Sequence, residues 1–274
     1  MQQDEKVPGS RKRPLILVSN DDGIDAPGLA ALVAAMTELG DVFVAAPIQE
    51  QSAVGHAITI RDPVRARKVR MDFAEDVTAY SVKGTPADCV KLAVNQLLPR
   101  RPDLVVSGIN RGPNTAVNVI YSGTVSAATE ASILGIDSIA FSLCAWEGGD
   151  YRPAQEISQH ISARVLQQGL PPGILLNVNI PSLPLDELQG ILPTRQARSR
   201  WNESFHERID PNNQVYYWLT GTFVNLDEGE NTDLWAVENG YVSVTPIQYD
   251  LTAHDYLATM TDWESKSDGI PGTN

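Results

Sequence analysis

Short apolar runs closed by turn residues alternate along this chain with longer stretches whose apolar positions recur every three or four residues. Leu15-Ile16-Leu17-Val18, Val42-Phe43-Val44-Ala45-Ala46, Leu104-Val105-Val106 and residues 136–143 are runs of the first kind. Runs so rich in β-branched residues predict strands buried on both faces, as in a parallel sheet. Between them, residues 26–39, a segment opened by Thr85-Pro86-Ala87-Asp88, and residues 122–134 and 153–168 predict helices. Pro27 suits a first helical turn and Gly40 the position past a helix end. Thr85, Pro86 and Asp88 stand where an N-cap, an N1 proline and an N3 acid belong. A further run at residues 174–178 is closed by Pro181. Strands alternating with helices predict a doubly wound, mostly parallel sheet.

Elsewhere the period shortens. Residues 56–60, 64–69 and 77–82 alternate as exposed hairpin strands do. Beyond about Leu183, Val215-Tyr216-Tyr217-Trp218-Leu219 and Tyr241-Val242-Ser243-Val244-Thr245 are aromatic and β-branched, with polar stretches between them. This part predicts an antiparallel arm with a short helix over residues 254–263. The division expected is a disordered extension over residues 1–13, an α/β catalytic core over 14–182, and an oligomerisation arm with a C-terminal segment over 183–274. The arm is too short and interrupted to enclose its own core, so a neighbouring copy is expected to cover it.

Ser19-Asn20-Asp21-Asp22-Gly23-Ile24 directly follows the first apolar run. In open α/β sheets, ligands bind beyond the carboxyl ends of the strands. Adjacent carboxylates there repel each other unless a cation or a shared proton lies between them. A solvated Asn-Asp-Gly turn is the plain alternative. Two more loops follow sheet strands, one carrying Gln51 and Ser52, the other Asn110, Arg111 and Asn114. Two carboxylates, a hydroxyl and an amide carbonyl form an all-oxygen set suited to Mg²⁺, Mn²⁺ or Ca²⁺. Ser122-Gly123-Thr124 opens the next helix, where backbone N–H groups can hold phosphate. Ser122 as a simple helix cap is the competing role.

There is no GxxxxGK[ST] loop, no GxGxxG, no GxSxG elbow and no Asp-x-Asp pair after the first strand. His56 suits either the cleft or a structural role, and Asp250 with His254 either a helical pair or a hinge contact. Cys89 and Cys144 lie in apolar patterns as core residues do.

A net charge of −13 among 274 residues opposes binding to nucleic acid. No apolar stretch reaches the ~20 residues a bilayer span needs, and two widely spaced cysteines fit a reducing cytoplasm.

Together these motifs resemble the stationary-phase survival protein SurE family of metal-dependent 5′-nucleotidases. The resemblance rests on LILVSNDDGIDAPGL (15–29), AAPIQEQSAVGHAIT (45–59), VKGTPADCVKLA (82–93), PDLVVSGINRGPN (102–114), YSGTVSAATEASILGI (121–136), LLNVNIP (175–181) and GYVSVTPIQYDLTA (240–253). It implies a Rossmann-like α/β/α core, one divalent ion per subunit (Mg²⁺ or Mn²⁺) on Asp21, Asp22, Ser52 and Asn110, and catalysis through Asp21 and Asp22. It also implies phosphate binding around Asn114, Ser122, Gly123 and Thr124, and a homodimer or homotetramer built by arm exchange. Nucleoside monophosphates are the expected substrate, with short polyphosphate a further candidate and no nucleic acid or membrane partner. A non-catalytic nucleotide or metal-ion sensor on the same fold is the alternative. Ala53, Ala131 and Asp137 depart from the family pattern away from the ligand positions.

Overall fold

A computed structural model describes residues 13–260. The disorder expected for residues 1–13 and the end of the helix expected over 254–263 therefore fall largely outside the described residues.

The chain begins with β1 (Leu15–Ser19), α1 (Pro27–Thr37) and β2 (Asp41–Pro47). Next come β3 (Arg65–Val69), β4 (Thr78–Lys83), α2 (Pro86–Leu92), β5 (Leu104–Arg111), α3 (Asn118–Tyr121) and α4 (Gly123–Ile133). Then follow β6 (Ser138–Cys144), α5 (Tyr151–Gln168), β7 (Ile174–Pro181), β8 (Gly190–Pro193), β9 (Ser199–Ile209) and β10 (Val215–Asn225). The described chain closes with α6 (Asp233–Glu238), β11 (Tyr241–Gln248) and α7 (His254–Leu257).

Nine strands form one sheet in the order β3-β4-β2-β1-β5-β6-β7-β11-β8. From β4 through β7 every neighbouring pair is parallel. The α/β reading of the sequence is thus the observed architecture. All of β1 is buried, and its side chains alternate between two cores. Ile16 and Val18 pack with Leu29, Leu32 and Met36 of α1 and Ile161 and Val165 of α5. Leu15 and Leu17 pack with Cys89 and Val90 of α2 and Ala127 and Ala131 of α4. Helices therefore cover both faces, which is why the parallel strands read as continuous apolar runs.

Local signals set the helix starts. Thr85 accepts the Asp88 N–H while the Asp88 carboxylate accepts the Thr85 N–H, closing a capping box at α2. Ser122 caps α4 by accepting the Val125 N–H at 3.0 Å.

Three expectations need correction. Residues 56–60 form no strand; they lie against α2, where Thr59 donates from its N–H to Asp88 Oδ1 at 2.9 Å. β4 is no free hairpin strand, because it pairs parallel with β2 as well as antiparallel with β3. Tyr241–Gln248 does not belong with the arm. It runs antiparallel to β7 within the main sheet and parallel to β8, with Val242 and Ser243 fully buried. Its alternating pattern suits a sheet flank just as well as an arm. Among the described residues, only β9 and β10 stand apart, as a two-stranded antiparallel sheet.

Candidate active site

From β1 the chain crosses to β2 on one side, then returns to place β5 on the other. The strand order thus reverses at β1, and the crevice beyond the carboxyl ends of β1 and β5 is the place such a sheet offers a ligand. Asp21 and Asp22 follow β1 there, and Asn110 and Arg111 end β5. Ser52 arrives from the loop after β2, which is tied down at both ends. The Gln51 N–H donates to the Asp21 carbonyl at 2.8 Å, and the Gly55 N–H donates to the Tyr121 carbonyl at 3.0 Å.

These residues line one open cavity of about 310 Å³. Asp21, Asp22, Ser52, Asn110, Asn114 and Ser122 border it, together with Glu50, Arg111, Asn118, Tyr121 and Trp146. All four candidate metal ligands therefore meet in one crevice. Gly123 and Thr124 lie beneath, against Asp21. The Thr124 hydroxyl donates to Asp21 Oδ1, and a Cβ on Gly123 would sit 2.7 Å from Asp21 Cβ. Only glycine lets the start of α4 approach this closely.

Burial pushes the Asp21 carboxyl up from its ordinary range, against the hydrogen bonds from Thr124 and the backbone N–H groups of Thr124 and Gly123. Asp22 is raised to about 6, by burial and then by the charge of Asp21, while the Arg111 N–H, donating at 3.2 Å, pulls the other way. Two crowded carboxylates with no paired cation are the electrostatic condition that a bound cation relieves. The Asn110 amide nitrogen donates to the Gly112 carbonyl at 2.8 Å, which leaves the amide oxygen as its ligand atom. The Ser52 hydroxyl donates to Glu50. Among the described residues, no group of three or more His, Cys, Asp or Glu side chains is arranged for a metal. The two carboxylates, the hydroxyl and the amide oxygen that border the crevice form an all-oxygen set of the kind that suits a hard divalent cation.

The proposed phosphate residues divide. Ser122 Oγ is spent on its helix cap and Thr124 Oγ1 on Asp21. The helix start presents its N–H groups toward Asp21. Asn114 borders the cavity but is locked in place, its N–H donating to Asn179 Oδ1 at 2.8 Å and its amide to Ser142 Oγ at 2.9 Å. His56 lies outside the cavity lining, paired with Glu130 of α4 at 3.0 Å. His254 pairs with Asp250 at 2.8 Å. Burial raises both thiols, that of Cys144 to about 12; neither is a nucleophile in this state. Glu50, Asn118, Tyr121 and Trp146 escaped the sequence reading because they sit in loops or a single helical turn, where no periodicity marks them. The one available signal was Glu50, two residues ahead of Ser52.

The family profile described as "Survival protein SurE" matches residues 16–203. Proteins described as 5′-nucleotidase SurE from Christiangramia forsetii and Flavobacterium psychrophilum are 52% and 51% identical to this chain, over 93% and 92% of it and 98% of each relative. The crystal structure of a SurE protein from Aquifex aeolicus matches with a TM-score of 0.79 at 42% identity, covering 92% of this chain and 100% of that one.

Proposed function

This chain belongs to the survival protein SurE family, and from that premise we propose how its crevice serves a phosphoric monoester hydrolase. The protein is a metal-dependent 5′-nucleotidase, releasing phosphate from nucleoside 5′-monophosphates. The observation that carries this reading at residue level is the pair Asp21 and Asp22. It is crowded, raised in pKa and set at the strand-order reversal beside the start of α4.

In this reading Asp21, Asp22, the Ser52 hydroxyl and the Asn110 amide oxygen hold one Mg²⁺ or Mn²⁺ per subunit. Bound there, a divalent cation neutralises phosphate oxygens and acidifies a water. Thr124 orients Asp21, and the Arg111 N–H orients Asp22. The phosphate lies in the open cavity that Asp21, Asp22 and Ser122 border, with the Arg111 side chain as the cation among the cavity-lining residues. Asn114 supports the floor through Asn179 and Ser142. A proton competes with the cation for Asp22, so metal binding is expected to weaken as pH drops through about 6.

The β9–β10 hairpin supports a homodimer or homotetramer. Tyr217, Trp218 and Leu219 stand in solvent on it, and such strands are normally covered. No helix among the described residues is long and apolar enough to cross a membrane. The two free cysteines, Cys89 and Cys144, suit a reducing cytoplasm.

Phosphate release from a panel of nucleoside 5′-monophosphates, with Mg²⁺ or Mn²⁺ added and then removed by chelation, tests the reading. Release from several nucleotides that stops on chelation is expected. Tight nucleotide binding without release would favour a sensor and overturn it.

A further inference from the structure

The crevice carries a second chemistry on its outer wall. Its floor is acidic and amide-rich, whereas two large aromatic side chains, Tyr121 and Trp146, border its mouth. Trp146 is 69% exposed and Tyr121 49% exposed. Trp146 lies between β6 and α5, and its six-membered ring packs against Gly112 of the loop after β5. A Cβ on Gly112 would fall 3.1 Å from Trp146 Cζ3 and 3.2 Å from Cε3. The missing side chain at Gly112 therefore makes room for the indole beside the loop that carries Asn110 and Arg111. Most of the ring surface remains open.

Isolated exposed apolar residues are ordinary. An exposed indole on the lining of a polar crevice that also carries a second exposed aromatic ring is a different arrangement. Taking the nucleotidase reading above as given, we propose that Trp146 is the platform on which the substrate's nucleobase stacks, with Tyr121 as the second aromatic ring of the same lining. A nucleoside monophosphate is polar at one end and flat and aromatic at the other, and this crevice has the same polarity from floor to rim. Stacking tolerates any base because every base has a π-face. Where stacking carries the recognition, discrimination is expected to follow ring area, purines ahead of pyrimidines.

The test compares adenosine 5′-monophosphate, cytidine 5′-monophosphate and ribose 5-phosphate as substrates of the full chain with excess Mg²⁺ or Mn²⁺. Ribose 5-phosphate keeps the ester and the sugar and lacks the base. The wild type is expected to favour adenosine monophosphate over ribose 5-phosphate in kcat/KM. In Trp146→Ala that preference should fall about tenfold, mostly through KM, and Trp146→Phe should restore most of it. The purine-over-pyrimidine preference should shrink in parallel. A preference undiminished in Trp146→Ala, or an equal loss on all three substrates, overturns the inference. So does a change in oligomer mass in that variant by light scattering, which would make Trp146 an interface residue. A wild type that hydrolyses ribose 5-phosphate as well as nucleotides removes base recognition but leaves the phosphatase. Hydrolysis of none removes both.

Discussion

The crevice and the β9–β10 hairpin are both built from β-structure that ends in solvent, yet they owe their positions to opposite causes. Every residue of β1 is buried, and helices press on both faces of the sheet that carries it. In β9 every residue after Ser199 is exposed. The hairpin pairs in continuous register from Val215↔Ile209 to Asn225↔Ser199. Little ties it to the sheet beyond its root, where Phe223 packs on Ala116, Ala197 and Leu234, and the Trp201 indole N–H donates to Asn118 Oδ1 at 3.0 Å. An isolated two-stranded sheet is marginal in water. The crevice is thus held by burial within one chain, whereas the hairpin leaves most of its residues in solvent. Rigidity where charge is concentrated, and unfinished apolar surface where assembly is proposed, is a division of labour that can be tested from either side.

Removing the charge at the crevice should have the largest effect. Asp21→Asn is expected to lower turnover by about 100-fold or more and to weaken Mg²⁺ or Mn²⁺ binding with it. Circular dichroism should be unchanged, because the neighbours that position this side chain come from buried elements. Near-normal turnover at low metal would detach function from this edge of the sheet.

At the hairpin, charge should act on assembly instead. Tyr217→Glu combined with Leu219→Glu is expected to reduce the mass seen by light scattering by at least one subunit multiple, with the thermal midpoint of the core little changed. A wild-type chain that is monodisperse and monomeric at micromolar concentration would mean that the hairpin needs no partner.

Asp22 sharpens the contrast by a smaller amount. Its folded-state value of about 6 lies above the ordinary carboxylate value, so the metal-free folded protein holds a proton more tightly than the unfolded chain does. The metal-free protein should gain stability as pH falls from about 7 toward 4. Asp22→Asn should accordingly raise metal-free stability at pH 8 by about 1–3 kcal/mol. A thermal melt in chelator showing no gain would mean that the carboxylate is not strained.

The smallest effect is expected at the helix cap under the Ser52 loop. Thr85→Ala removes the hydroxyl that accepts the Asp88 N–H at 3.1 Å and donates to the Ala57 carbonyl at 2.7 Å. A loss of about 1 kcal/mol is expected in denaturant unfolding, with a rise in metal Kd if the cap also steadies the loop.

Much of this was legible in the residues. The apolar runs marked the parallel strands because both faces of each are covered, so every position had to be apolar. The Thr85–Asp88 box and Pro27 marked helix starts because caps are satisfied within a few residues. The acid pair at the end of β1 stood out because like charges are rarely placed side by side at a strand end without a use.

Pairing partners and side-chain aim were another matter. A period of two says that a strand has a buried face, not which strand lies beside it, and so β11 read as arm although it completes the main sheet next to β7. The seat of Trp146 on Gly112 and the grip of Thr124 on Asp21 each join loops or ends of different strands and helices. Such contacts carry no local period. They arise only when the sheet order has brought those ends together, and that order is decided by burial summed over the whole chain.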